Sequence, residues 1–184
     1  MNVLEFIEAA GKLKKAKRTG WVAKGVSDPE SVAEHSYRSA LIVMLLGKEL
    51  GINVEKAIKM ALIHDLAEAV TGDFRKKPDE NDQELTNKKQ FELEKNALQG
   101  LVSTLPRNKA NEIFDLWIEY NEEITPESVA VKDIGKLEMA LQAYEYEKDK
   151  NHQKSLQEFF AYSKDRIKTP KLRQLLKEIE KKRL

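Results

Sequence analysis

Apolar residues recur along almost the whole chain at a spacing close to 3.6 residues, which is the repeat of an α-helix with one buried face. No segment shows the alternation of apolar and polar residues that a half-buried β-strand requires. Most of the 8 glycines and 5 prolines lie between the periodic segments, where such residues end helices. The sequence therefore predicts an all-α fold, and a length of 184 residues predicts a single domain over 1–184.

Capping residues predict where the helices begin and end. Asp28 is the expected N-cap of the second helix, with Pro29 as its first residue and Gly51 just beyond its end. The interior of that helix, ALIVMLL, is nearly all apolar, which predicts burial on most sides. A polar segment at 74–83, FRKKPDENDQ, predicts an exposed, mobile loop. The predicted helices span 3–14, 29–50, 54–71, 86–105, 108–120, 127–148, 155–167 and 171–183.

The charge balance excludes some classes of partner. Lys and Arg number 32 and Asp and Glu number 31, so the net charge of +1 predicts neither nucleic-acid polymer nor membrane-surface binding. No apolar run approaches the roughly 20 residues of a membrane span, and the N-terminus lacks the order of a signal peptide. We therefore expect a cytoplasmic protein. The chain has no cysteine, so a metal site would need histidine, carboxylate and water ligands.

Two of the three histidines, His35 and His64, lie in the most apolar helical segments of the chain. A single histidine there is usually a hydrogen-bonded core residue, but His64 has ionisable neighbours. Asp65 follows it directly, Glu68 is expected one turn along the same helical face, and Asp73 comes just after the helix end. Carboxylates this close repel one another unless a cation lies among them. His and Asp ligands favour Mn²⁺, Fe²⁺, Co²⁺, Ni²⁺ or Zn²⁺ over Ca²⁺.

Four segments of the chain resemble the HD superfamily of metal-dependent phosphohydrolases, and most of all its 5′-deoxynucleotidase group, also described as oxetanocin-like proteins. These segments are SVAEHSYR, ALIHDLAEAVTGD, RTGW near the start and KLEMALQAYEYE late in the chain. The His-Asp doublet alone is not specific, whereas the four segments together are, and they extend over most of the chain. The resemblance implies a single HD-type helical bundle and a homodimer.

The resemblance also implies an activity, the removal of phosphate from deoxyribonucleoside 5′-monophosphates with a divalent Mn, Co, Ni, Fe, Zn or Mg ion. It implies metal ligation by His35, His64, Asp65 and a later aspartate. Glu68 is expected to position or deprotonate the attacking water, and Asp73 to support that water or a second metal. Arg18 is the expected phosphate-binding residue, because a guanidinium matches phosphate oxygens. A lone arginine is more often a surface charge. Trp21 is expected near the sugar or base, although a lone tryptophan is more often a core residue.

The sequence departs from the family at the fourth metal ligand. The family pattern has aspartate before K-L-E-M, whereas this chain reads VKDIGKLEM, with Gly135 at that position. Asp133, the remaining candidate, lies two residues earlier and thus about 200° around a regular helix. Three interpretations are open: Asp133 turns inward through a distortion at Gly135, water or phosphate fills the position, or much activity is lost. We favour the second, which predicts weaker metal binding than in a complete family member.

Other functions are consistent with the same residues. An HD hydrolase acting on deoxynucleoside triphosphates or cyclic nucleotides is the nearest enzymatic alternative. A helical nucleotide-binding protein with a degenerate site would bind ligand without turnover, and Gly135 favours it. A nucleic-acid binder using Lys14, Lys15, Lys17 and Arg18 is disfavoured by the net charge and by the lack of a recognition motif. Base preference and ribose discrimination have no signal in the sequence.

Overall fold

The structure is a computed structural model that describes residues 3–74 and 83–183, with side chains described for 3–74 and 87–183. Within these residues the only β-type pairing is an isolated bridge between Lys17 and Ser31, and no helix is both long and apolar enough to cross a membrane. The predicted all-α class is confirmed. The helices are α1 (Val3–Ala10), a 3₁₀ turn (Gly11–Lys14), α2 (Thr19–Ala23), α3 (Val32–Leu46), α4 (Val54–Ile63), α5 (Glu68–Thr71), α6 (Gln83–Val102), α7 (Arg107–Glu122), α8 (Pro126–Lys148), α9 (Gln157–Arg166) and α10 (Pro170–Lys182).

Helix α8 is the central element and contacts α3, α4, α7, α9 and α10. The Thr125 side chain caps its first turn, and Pro126 provides a preset φ at the first helical position. Its inward side chains, among them Ile134 and Ala140, are completely buried. Burial of this apolar face stabilises the bundle. It also brings α8 against α3, which carries His35, and against α4, which leads into the turn that begins at His64.

Helix α3 begins at Val32, three residues later than predicted, because Ser31 is a better cap than Asp28. The Ser31 hydroxyl accepts a hydrogen bond from the Glu34 amide (3.2 Å), and the Glu34 carboxylate accepts one from the Ser31 amide (2.5 Å). This reciprocal pair satisfies two amides at the helix start. Asp28 instead lies outside the helix, where it pairs with Lys17 at 3.1 Å.

The prediction that α3 is buried on most sides is wrong for its outer face. Tyr37, Met44 and Leu45 are more than half exposed, whereas His35 and Val43 are buried. The apolar composition of ALIVMLL therefore does not indicate its environment, since about half a folded protein's surface is apolar in any case.

The helix predicted over 54–71 breaks at 64–67. Helix α4 ends at Ile63, and the amides of Leu66, Glu68 and Ala69 bond to the carbonyls three residues earlier. Two backbone carbonyl oxygens at the break bond to ring nitrogens. His64 Nδ1 lies 2.8 Å from the Ala61 carbonyl oxygen, and Trp117 Nε1 donates to the His64 carbonyl oxygen at 3.1 Å. The chain therefore tightens into a 3₁₀-like turn. Glu68 is consequently not simply one α-helical turn beyond His64.

The predicted loop at 74–83 lies mostly outside the described residues. Phe74 is described, and its side chain is exposed. Helix α6 begins at Gln83, before its predicted start at Thr86. The later helices lie within a few residues of their predicted positions.

Candidate metal centre

Three potential metal ligands meet where α3 packs against the turn after α4. One ligand atom from each of His35, His64 and Asp65 can be chosen so that all three lie within 4.8 Å of one another. The two imidazole rings are 5.4 Å apart, and His64 Nε2 lies 3.1 Å from Asp65 Oδ2. On a regular helix, Asp65 would point about 100° away from His64. The turn at 64–67 therefore allows consecutive residues to serve one site.

Both histidines expose Nε2 to this site because Nδ1 is already bonded. His64 Nδ1 faces a carbonyl and His35 Nδ1 faces the Glu138 carboxylate, and neither oxygen can donate. Each Nδ1 therefore carries a proton, so that Nε2 offers a lone pair to a metal ion in the neutral form of the imidazole. Metal-binding histidines characteristically have such a partner on the other nitrogen. The residues present thus fit a divalent ion held by two imidazoles and a carboxylate.

Glu138 and Arg38 extend this support behind His35. Glu138 is completely buried, and Arg38 contacts its second oxygen at 2.7 Å. Burial alone would raise the pKa of Glu138, but His35 and Arg38 outweigh burial and lower it to about 2. Neither residue was predicted from the sequence to be a site residue. The signal was their position within the recognised segments SVAEHSYR and KLEMALQAYEYE.

Arg18 lies between Glu30 and Asp65, one of the candidate metal ligands. Its Nη1 is 3.6 Å from Asp65 Oδ2, and its Nε is 3.5 Å from Glu30 Oε1. Burial would lower the pKa of Arg18, but Glu30 and Asp65 raise it further above its ordinary value, so the guanidinium stays charged. Both ion pairs are longer than hydrogen-bonded pairs, which leaves N–H groups able to donate to a phosphate.

Trp21 is buried in the core, so its side chain is not exposed for a direct contact with the sugar or base of a substrate. Its side chain is 1% exposed and packs against Tyr146 and Phe159, with ring centroids 5.3 and 4.1 Å away. Its Nε1 donates to Glu30 Oε1 at 2.8 Å. Trp21 is thus a core residue that orients Glu30, which corrects the expected substrate contact.

Glu68 lies close to the centre as an unpartnered acid. Its Oε2 is buried and has no hydrogen-bond partner among the described residues. Burial and the charges of Asp65 and Asp73 raise the pKa of Glu68 to about 10. The side chain is therefore protonated at neutral pH when no cation compensates these charges. An acid without a structural partner beside potential metal ligands is a candidate catalytic group.

Asp73 is held by Thr19, a residue that sequence analysis missed. Both donors of Thr19 bond Asp73 Oδ2: the backbone amide, and the hydroxyl at 2.6 Å. The positive φ of Gly72 (75°) turns the chain out of α5 just before Asp73. This contact joins the segment after Arg18 to the end of α5, so that Asp73 and Arg18 approach the same centre.

We expect Thr19→Val to lower kcat about 10-fold, because valine keeps the shape and the amide bond but removes the hydroxyl that fixes Asp73. Steady-state kinetics on a deoxynucleoside monophosphate measures this. Thr19→Ser keeps the hydroxyl and should retain nearly full activity. Equal kcat values for all three proteins would contradict the role given to this contact.

Gly135 faces the centre, as its place in the recognised pattern predicts. A β-carbon added at Gly135 would lie 3.7 Å from His35 Nε2 and 3.9 Å from Cε1, which is ordinary van der Waals contact. A side chain at this helical position would therefore begin beside His35 Nε2, the nitrogen that could bind a metal. Because residue 135 is glycine, this position provides no metal ligand.

Asp133, predicted as a possible metal ligand, bonds elsewhere, and this corrects that expectation. It is completely buried, and its Oδ2 accepts from the amides of Lys168 and Thr169 at 2.8 Å each and from the Thr169 hydroxyl at 2.8 Å. Lys136 contacts its other oxygen at 3.0 Å. Two residues along a regular helix separate the directions of Asp133 and Gly135 by about 200°. Asp133 therefore ties α8 to the start of α10.

We expect Asp133→Ala to lower the free energy of unfolding by about 3–5 kcal/mol, since it leaves buried donors and the Lys136 charge without their partner. Urea unfolding measures this loss. Under conditions where the variant stays folded, its affinity for Mn²⁺ should match the wild type. A stable variant with weakened Mn²⁺ binding would instead restore Asp133 as a ligand.

The chain is similar to known proteins over most of its length. Residues 10–175 match the family model of the HD domain. The Dictyostelium discoideum protein named 5′-deoxynucleotidase HDDC2 is 43% identical over 192 residues, which cover 99% of this chain and 98% of that protein. The human protein of the same name is 34% identical over 182 residues, covering 99% of this chain and 86% of that protein.

Solved structures have the same fold. A conserved hypothetical protein from Pyrococcus furiosus is 38% identical, with a TM-score of 0.76 and coverage of 97% of this chain and 99% of that one. A predicted metal-dependent phosphohydrolase from Magnetospirillum magnetotacticum MS-1 is 25% identical, with a TM-score of 0.75 and coverage of 97% and 89%. The resemblance seen in the sequence is confirmed, and the chain belongs to the HD domain family.

Proposed function

We propose that this protein is a metal-dependent 5′-deoxynucleotidase that hydrolyses deoxyribonucleoside 5′-monophosphates to a deoxynucleoside and phosphate. The observation that carries this proposal is the convergence of His35, His64 and Asp65 beside the half-buried Arg18 guanidinium. Relatives named 5′-deoxynucleotidase, 34–43% identical over nearly the whole chain, support the substrate class.

His35, His64 and Asp65 would hold the divalent ion, which when bound supplies Lewis-acid polarisation of the phosphoryl oxygens and a lowered pKa of a nearby water. Arg18 donates to the phosphoryl oxygens and offsets the charge that builds up on them. Glu68 orients the attacking water and accepts its proton in its ionised form. Asp73, held by Thr19, orients the same water or a second cation.

The reaction needs no nucleophilic side chain. A water oxygen forms a bond to phosphorus, the bond from phosphorus to the 5′-oxygen breaks, and the leaving oxygen takes up a proton. We propose that the ion is Mn²⁺, Co²⁺, Ni²⁺, Fe²⁺, Zn²⁺ or Mg²⁺, because imidazole with carboxylate suits the first-row ions and open positions suit Mg²⁺.

One observation favours an alternative, a nucleotide-binding protein without turnover. With glycine at position 135, the side chains around His35 Nε2 provide three ligands in place of the family's four. Catalytic metal sites with three protein ligands and an open position are nonetheless common, which is why we favour the enzyme.

The deciding experiment is an assay of phosphate release from ribo- and deoxyribonucleoside 5′-monophosphates with each of the six ions. We expect turnover of the deoxyribonucleotides that requires metal and is lost in His64→Ala. A folded protein that binds these nucleotides but releases no phosphate with any ion would favour the alternative. Turnover of triphosphates alone would contradict the monophosphatase.

The homodimer and the cytoplasmic location stay predictions. Light scattering during size-exclusion chromatography tests the first: a dimer has about twice the chain mass of 21.1 kDa. Localisation of a tagged chain tests the second.

A further inference from the structure

Tyr120 in α7 lies against the candidate metal centre. Its ring packs on His64, with centroids 5.2 Å apart and planes tilted by 58°. The ammonium of Lys132 lies 5.1 Å from the centre of the same ring. Lys132 is three residues before Gly135 on α8, so the two share a helix face. Tyr120 therefore lies where α7 and α8 border the centre.

Among the described residues, the hydroxyl of Tyr120 has no hydrogen-bond partner. Within residues 3–74 and 83–183 it makes no hydrogen bond, whereas the Tyr146 hydroxyl accepts from the Glu30 amide at 2.7 Å. It is also not one of the fully buried polar atoms that lack a partner, so solvent or a ligand can reach it. A half-buried tyrosine beside a catalytic centre, with its donor unused, is available to bind substrate.

The phenol stays a donor at neutral pH. A phenol keeps its proton at this pH because its ordinary pKa is near 10. The His64 ring that packs on Tyr120 has its Nε2 3.1 Å from Asp65 Oδ2, so the imidazole joins the phenol to the candidate metal centre. The phenol therefore lies beside the candidate metal ligands.

We propose that Tyr120 is a further substrate-binding residue, whose hydroxyl donates a hydrogen bond to a phosphoryl oxygen of the substrate and of the product phosphate. This inference rests on the proposed function, because it assumes that phosphate occupies the space beside His64, Asp65 and Arg18. The phosphoryl group is favoured over the sugar because the ring borders the metal ligands themselves.

The test uses Tyr120→Phe, which removes only the hydroxyl, and inorganic phosphate as the probe. Calorimetry first measures Mn²⁺ binding and then phosphate binding to the Mn²⁺-loaded protein. We expect unchanged Mn²⁺ affinity and a phosphate Kd that rises roughly 10- to 100-fold, the usual effect of losing a hydrogen bond to a charged group. Tyr37→Phe, at an exposed tyrosine of α3, is the matched control and should change neither value.

Three results would overturn the inference. The first is wild-type phosphate affinity in Tyr120→Phe. The second is an increased KM for the nucleotide with unchanged phosphate affinity, which would assign the hydroxyl to the nucleoside. The third is weakened Mn²⁺ binding, which would mean that Tyr120 only supports His64. Because phosphate binding needs no turnover, a loss of phosphate affinity would support the inference even if the wild-type protein hydrolysed no monophosphate.

Discussion

Gly135→Asp is expected to tighten the binding of Mn²⁺ or Co²⁺ by roughly 10- to 100-fold or more. Loss of a residue that merely supports a metal ligand costs about 10- to 100-fold in affinity, and a direct ligand should contribute at least as much. The substitution fits sterically, because the new β-carbon would lie 3.7 Å from His35 Nε2. Isothermal titration of the metal-free protein with each ion measures the change.

Matched variants separate ligation from helix stability. Gly135→Ala should raise the free energy of unfolding by about 0.5–1 kcal/mol, since glycine is unfavourable inside a helix, but leave metal affinity unchanged. In Gly135→Asn the new side chain has the size of aspartate, but its amide oxygen is a much weaker metal ligand than a carboxylate oxygen. If aspartate binds the ions no more tightly than alanine or asparagine, then position 135 does not complete the site.

Glu68→Gln should have opposite effects on activity and on stability. The amide cannot accept the proton of the attacking water, so kcat is expected to fall by about 10²–10⁴. The metal-free protein should nevertheless become more stable at pH 7. Because the folded state raises the pKa of Glu68 from 4.5 to about 10, the carboxyl group lowers stability progressively as pH rises between these values.

Glutamine resembles the protonated acid and removes that penalty. Thermal unfolding in the presence of a chelator should therefore show a higher melting temperature for the variant, by roughly 2–4 °C per kcal/mol relieved. The difference should shrink at pH 5, where the acid is protonated in the folded protein. Glu55→Gln, at a highly exposed glutamate of α4, is the control for both measurements. A destabilised Glu68→Gln at pH 7 would show that the ionised carboxylate supports the fold.

The sequence alone predicts the fold class and a cluster of candidate metal-binding residues, because both have local signals. A 3.6-residue repeat defines helices whatever they pack against, and a histidine in an apolar helix must be satisfied or functional. The predicted start of α3 was wrong although its signal is also local. Two possible N-caps, Asp28 and Ser31, lie three residues apart, and the reciprocal bonds between Ser31 and Glu34 favour Ser31.

The tertiary structure decided how these residues act together. The rings of Trp117 and His64 form hydrogen bonds with backbone carbonyls at the end of α4, where the helix gives way to a turn. This turn allows the consecutive residues His64 and Asp65 to face one site. Partners far apart in the chain, such as His35 with Glu138, meet only because α3 packs on α8. Likewise, the packing of the helices buries Trp21 in the core and places Asp133 against the start of α10. Spacing along a chain defines a direction on one helix, whereas ligand geometry depends on how several helices pack.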